Sequence, residues 1–141
     1  MKAILDSCVA LKWVLTEADS AKALELRTHF QQHVHELLAP DLFLAECSHA
    51  LLRAERRALI QQGEAAILLG DILSTPLDLH SYIPLMARAV EIASDSRCGF
   101  YDCLYVALAE REGCELVTSD QKMVAGLQKE FPFIILLSSL P

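Results

Sequence analysis

Short apolar runs alternate with longer stretches of helical periodicity along the whole chain. Lys2–Leu5 is a brief apolar run cut off at Asp6, and reads as a buried strand leaving into a loop. The stretch from Thr16 to about Gln32 has helical character, with Thr16 as its N-cap and acids near its start. Glu36–Ala39 reads as a second strand closed by Pro40, after which Asp41 caps a helix running to about Leu59. Gly63–Leu73 is a further helix, and Pro76–Leu79 a short strand. Pro84 to Ser96 is helical, with the proline in the first turn, where a missing N–H is tolerated. The strongest helical segment is Tyr101–Glu112, stopped by Gly113. Glu115–Thr118 is a strand, Gln121–Lys129 a helix and Phe133–Leu137 a last strand.

Strands alternating with helices predict a central, mostly parallel sheet covered on both faces, a three-layer α/β/α sandwich. No repeat, linker or low-complexity tract interrupts the pattern, so residues 1–141 read as a single domain. In open parallel sheets the chemistry lies outside the carboxyl ends of the strands, near the point where strand order reverses. Asp6 and Asp120 each follow directly on a predicted strand.

Composition narrows the picture. Hydrophobic residues make up 53% of the chain, enough for a substantial core. No run approaches the ~20 apolar residues of a membrane span, and the apolar N-terminus is broken by Asp6 and Lys12. A soluble cytoplasmic protein is expected. The formal net charge is −7, from 12 Lys and Arg against 19 Asp and Glu. That balance argues against nonspecific coating of nucleic acid, where phosphate contacts drive affinity. It leaves room for acids gathered around cations, which invert the local field. The five cysteines form no CxxC pair and lie largely in apolar surroundings, which fits a reducing compartment and excludes a structural zinc pattern. The five histidines show no HExxH-like pair and read mostly as surface residues.

Four acids have two readings each. Asp6 suits a turn or helix cap as well as a site. Asp102 shares a helical face with Tyr105, Val106 and Ala109, where a carboxylate is costly unless paired, yet the first helical turn also favours an anion. Asp120 ends the run LVTSD as a natural N-cap. Glu46 lies on a stripe with His49, Arg53 and Arg57, opposite Leu44, Cys47 and Leu51, and periodicity alone does not separate it from a surface glutamate.

Three segments carry a family likeness. LDSCVALKWVLTE, PDLFLAECSHALLRA and FYDCLYVALAEREGCELVTSD, in that order and spacing, resemble the acidic motifs of PIN domains, especially the VapC-type toxins of bacterial toxin–antitoxin pairs. The resemblance covers essentially the whole chain. Carried over, the family's acidic site falls on Asp6, Glu46, Asp102 and Asp120, with Thr118 at a small polar position before the last acid. The chain departs from the pattern at Cys8, where Ser or Thr is usual two residues after the first Asp. Ser7 beside it carries a hydroxyl, but successive residues of an extended strand point different ways.

The resemblance implies a metal-dependent endoribonuclease. Clustered carboxylates repel one another unless protonated or bridged by cations, and hard cations such as Mg²⁺ or Mn²⁺ take oxygen ligands. Asp6 and Asp102 are expected to hold the principal ion, with Asp120 and Glu46 completing the site. Metal ions activate water and stabilise the leaving oxygen in phosphodiester hydrolysis. The implied partners are an RNA substrate, a small antitoxin covering the acidic pocket, and a second copy in a homodimer. Arg53, Arg56 and Arg57, with Lys12 and Lys122, form a candidate phosphate route, or else a solvated face. A receiver domain wants adjacent acids after the first strand, and Ser7 follows Asp6; a haloacid-type phosphatase wants Asp where Cys8 stands. A catalytically inactive PIN fold serving as a binding module is the remaining alternative.

Overall fold

The computed structural model describes residues 1–141, and its framework is a five-stranded sheet in the order β3-β2-β1-β4-β5, parallel throughout. The strands are β1 (Lys2–Leu5), β2 (Glu36–Pro40), β3 (Asp78–His80), β4 (Glu115–Thr118) and β5 (Ile134–Leu136). The helices are α1 (Ser7–Leu11), α2 (Ser20–Gln31), α3 (Phe43–Arg56), α4 (Glu64–Leu73), α5 (Met86–Ser96), α6 (Phe100–Glu112) and α7 (Gln121–Leu127). Five parallel strands flanked by seven helices give the α/β sandwich that the alternation predicts. The chain builds outward from β1 through β2 to β3, then crosses back to lay β4 on the other side of β1. The order therefore reverses between β1 and β4.

Sequence dictates this packing directly. Ala3–Leu5, Leu37–Pro40 and Leu116–Thr118 are buried without alternation, as strands covered on both faces must be. In α6 every residue from Cys103 to Ala109 is buried, so the helix has no solvent-facing side between Asp102 and Glu110. A helix apolar all round belongs in the interior. It packs on β1, β2 and β4 on one side and on α5 on another. Gly113 ends it at φ 63°, a left-handed cap that suits glycine.

Several element boundaries differ from the sequence expectation, through local turns, proline and, at Asp41, a tertiary bond. The chain does not leave β1 into a loop but turns at once into α1. Thr16 is not a cap, and α2 starts at Ser20. The polar stretch before it forms a turn in which Ser20 Oγ accepts from the Glu17 N–H (3.0 Å) and donates to the Leu15 carbonyl (3.2 Å). Asp41 does not cap α3 either: its Oδ1 accepts the Tyr82 N–H at 3.1 Å, fastening the loop after β3 to the loop after β2. β3 begins at Asp78, two residues beyond Pro76, because proline offers no N–H to the ladder. The helix expected from Pro84 starts at Met86, and Ile83–Leu85 form a 3₁₀ turn ahead of it. At the C-terminal side α3 stops at Arg56, short of Leu59, and Ala58 takes a left-handed φ of 58°.

One buried cation ties the early helices together. Arg27, on α2, is only 9% exposed and stands over the Trp13 ring at 4.8 Å. Its guanidinium donates to Thr75 Oγ1 (2.7 Å), to the Asp71 carbonyl (2.6 Å) and to Asp71 Oδ1 (2.8 Å). Trp13 is itself pinned by its indole N–H to the Ala23 carbonyl at 2.9 Å. Arg27→Met keeps the apolar stem and removes every donor, so the unfolding free energy should fall by about 2 kcal/mol. Asp71, whose side chain is 50% exposed, should cost at most about 1 kcal/mol on replacement by Asn. Urea midpoints measure both; equal midpoints for wild type and Arg27→Met would refute the staple.

Candidate active site

The carboxyl ends of β1 and β4 meet where strand order reverses, and the acids collect there. Asp6 continues β1 by donating its N–H to the Val117 carbonyl of β4 at 3.1 Å. It precedes α1, yet its side chain caps nothing. Instead Oδ2 accepts from Thr118 Oγ1 at 2.7 Å and Oδ1 from Ser7 Oγ at 3.4 Å. The carboxyl is almost fully buried. Burial raises its pKa above the usual carboxylate range, the Asp120 charge adds to that, and the bonds from Thr118 and Cys8 oppose it.

Asp102 stands in the first turn of α6, where Gly99 occupies the N-cap position and offers no side chain. Burial first, then the charges of Asp6 and Asp120, push it up to about 6. Asp120 does cap α7, its Oδ1 accepting the N–H groups of Lys122 (2.9 Å) and Met123 (3.3 Å). Capping and proximity to the other acids coexist, because Asp120 also acts electrostatically on Asp6 and Asp102.

Glu46 departs most from the periodicity reading. It is half-buried, and the Tyr105 hydroxyl donates to its Oε1 at 2.6 Å. Its pKa is pushed up to about 7, by burial foremost, with the charges of Asp6 and Asp102 adding and the Tyr105 bond opposing. Tyr105 was missed as a site residue. It is fully buried on α6, and a phenol hydroxyl in the interior needs a partner, which was the available signal.

Cys8 occupies the position where a hydroxyl was expected. Its thiol, pushed up to about 12 by burial and the Asp6 charge, is neutral. Sγ accepts the Ser119 N–H at 3.3 Å and lies 3.6 Å from Thr118 Oγ1. Thr118 in turn accepts the Asp120 N–H at 3.0 Å while donating to Asp6. The two expected supporting residues, Ser7 and Thr118, both bond Asp6.

A groove of about 970 Å³ opens beside the acids, lined at its inner end by Ser7, Cys8 and Glu46. Of the candidate cations only Arg53 lines it. Arg56 faces a separate small depression with Leu52 and Glu55, and Lys12 donates to the Ala18 carbonyl at 2.8 Å. Arg57 and Lys122 are exposed and stand outside the groove lining. Of the histidines, His49 borders the groove, whereas His29 and His35 pair with each other at 3.2 Å, half-buried.

No three His, Cys, Asp or Glu side chains converge tightly enough to ligate one ion as they stand. The donor chemistry nonetheless fits Mg²⁺ or Mn²⁺: all four groups are hard carboxylates, and their charges act on one another. Mg²⁺ commonly takes one or two carboxylates and keeps several waters, so a dense cage is not required.

The chain has relatives of known family and fold. A family model described as the PIN domain matches residues 3–125. Ribonuclease VapC3 of Pyrobaculum aerophilum is 30% identical over 137 residues, covering 96% of this chain and 98% of that protein. Ribonuclease VapC12 of Mycobacterium tuberculosis is 33% identical over 121 residues, 85% of this chain and 88% of its own. Among solved structures, PAE2754 from Pyrobaculum aerophilum has a TM-score of 0.70 at 22% identity, covering 99% of this chain and 94% of that one. VapBC2 from Rickettsia felis, crystallised with a DNA fragment from their promoter, has a TM-score of 0.65 at 17% identity, covering 96% and 97%. Fold, motif order and curated relatives converge, and the chain belongs to the PIN domain family as a VapC-type member.

Proposed function

We propose that this chain is the toxin ribonuclease of a toxin–antitoxin pair and hydrolyses RNA phosphodiesters with Mg²⁺ or Mn²⁺ held among Asp6, Glu46, Asp102 and Asp120. One observation carries the reading. Four acids from four separate segments come together at the strand-order reversal, and three of them have pKa values raised by burial and by one another. A bound cation supplies charge neutralisation, an activated water and stabilisation of the leaving oxygen.

The chain's own groups have distinct parts in this reading. Thr118 and Ser7 fix both oxygens of Asp6, so the acid presents a set orientation. Asp102, with no cap bond to satisfy, is available to the same ion. Asp120 keeps one oxygen beyond its cap bonds, suited to a contact through water. Glu46 is the acid that lines the groove; Tyr105 holds Oε1, and Oε2 is suited to take the proton of the attacking water.

The catalytic unit spans residues 1–141 as one domain. An antitoxin is the partner, supported by structural neighbours such as the toxin–antitoxin complex from Klebsiella pneumoniae, which shares the fold with a TM-score of 0.59 at 17% identity over 96% of this chain and 97% of that one. A basic antitoxin side chain reaching the carboxylates would mimic the cation. A homodimer is proposed through exposed apolar residues of the early helices, Leu52 on α3 and Ile67 on α4, with Leu59 in the segment between them. No helix is long and apolar enough to cross a membrane, in keeping with a cytoplasmic site of action. A catalytically inactive binding module would gain nothing from keeping repelling acids half-buried together.

Two expectations follow. Asp6→Asn or Asp102→Asn should lower cleavage of single-stranded RNA by at least about a hundredfold. Chelation should abolish the wild-type activity, and added Mn²⁺ or Mg²⁺ should restore it. Full activity in both variants would exclude this site.

The second expectation concerns stability. Glu46 near 7 and Asp102 near 6 hold protons in the folded, metal-free chain that the unfolded chain releases near about pH 4. Folding therefore binds protons in that window, and stability must fall as pH rises from about 4 through about 7. The midpoint of thermal unfolding should be lower at about pH 8 than at about pH 5. Mn²⁺ should recover it at the higher pH, and Asp102→Asn should flatten the slope. A metal-free midpoint that rises across the window, indifferent to Mn²⁺, would contradict the proposed electrostatics.

A further inference from the structure

We propose that the groove beside the acids is a nucleobase subsite, where Tyr101 and Tyr82 stack on unpaired bases and Arg53 meets a phosphate of the same strand. The inference rests on the RNA hydrolysis argued above and goes on to say how the strand is held.

Tyr101 is the residue before Asp102. It is 61% exposed on a helix whose next seven residues after Asp102 are all buried. Such a ring adds little to the core. Its edge packs on Phe100, with centroids 5.6 Å apart and planes at 63°, so its orientation is constrained while much of its surface stays open. Tyr82, 37% exposed, lies across the β3 exit. Its backbone is fastened by Asp41, whose own N–H donates to the His80 carbonyl at 2.8 Å. Both tyrosines and Phe100 line the groove whose inner end is Ser7, Cys8 and Glu46.

The opposite wall is α3. Glu46, His49, Ala50 and Arg53 all line the groove, which is the i, i+3, i+4, i+7 spacing of one helical face. The stripe that looks like a solvated face in sequence is therefore a groove wall running from an acid to a cation. A strand whose scissile phosphate lies at the acids would follow that wall towards Arg53.

Charge decides between this occupant and a phosphate-tracking one. A chain of net charge −7 with a single cation in the groove draws little affinity from phosphates. Aromatic faces bind any base without adding charge next to the acids, and they need bases that are already unstacked. The arrangement thus fits single-stranded or looped RNA and disfavours duplex.

The test uses a short single-stranded RNA carrying 2-aminopurine, whose fluorescence reports stacking. Binding is measured with the full chain in Ca²⁺, and cleavage separately in Mn²⁺. Tyr101→Leu and Tyr82→Leu should each weaken binding by on the order of tenfold, and Tyr101→Phe should retain it. An abasic nucleotide at the position that Tyr101 covers should cancel the Tyr101→Leu penalty. Arg53→Ala should reduce the salt slope of binding by about one phosphate contact. Wild-type-like binding by both leucine variants overturns the subsite, as does a penalty that persists at every abasic position. Leucine variants that lose affinity for the antitoxin alone would assign the groove to that partner and also overturn it. Tyrosine-dependent binding without any cleavage in Mn²⁺ supports the subsite and sinks the nuclease reading alone.

Discussion

Burial of clustered carboxylates at the junction of β1 and β4, with their mutual repulsion added to it, is the constraint on which this site depends. Four carboxylates lie within electrostatic reach of one another in a partly buried space, and three of them are shifted towards their protonated forms. Burial and mutual repulsion lift Glu46 to about 7 and Asp102 to about 6, and lift Asp6 as well. Protonation offsets the cost of these charges in the folded chain, and a hard divalent cation would offset it further. The hydrogen bonds around the acids are arranged to hold them near one another. Thr118 bonds Asp6 and receives the Asp120 N–H, so a single hydroxyl sets the spacing of two acids on adjacent strands.

The core supplies the rigidity that such a cluster needs. α6 is interior along seven successive residues, and it delivers Asp102 from its first turn and Tyr105 one turn later. Tyr105 then fixes Glu46, which belongs to a different helix. Packing energy and site geometry are thus coupled through one buried phenol. Arg27 performs a comparable service at the opposite end of the early helices, tying Trp13, α2 and α4 together without touching the acids.

The strand pattern, the helices and the parallel sheet were legible because each depends on local apolar runs and punctuation. α1 was not, since five residues after Asp6 are too few to display a helical period. Asp6 and Asp120 were legible from the sheet rule alone, as residues leaving the two strands at the order reversal. Glu46 was not, because its environment is made by Tyr105, 59 positions away, and no window along α3 contains that information. Only the family likeness picked it out. The basic stripe was half legible: helical spacing grouped Arg53 with Glu46 correctly, but Arg57 lies past the last turn of α3, where the helix has already ended. Lys12 and Lys122 were grouped by nearness in sequence, and the fold turns Lys12 to the Ala18 carbonyl.

Cys8, standing where the family resemblance leads one to expect a hydroxyl, is accommodated by its neighbours. A hydroxyl at this position would donate to the acids more strongly than a thiol can. Here the strong donor to Asp6 is Thr118, at 2.7 Å, and Ser7 supplies a second, longer bond. Besides its weaker contribution at Asp6, Cys8 accepts the Ser119 N–H and rests against the Thr118 hydroxyl, in the segment that leads to Asp120. Burial beside Asp6 keeps the thiol neutral, so it adds no further negative charge to acids already raised by burial and by one another. A residue that ionised here would raise the carboxylates further and weaken the arrangement that the four acids depend on.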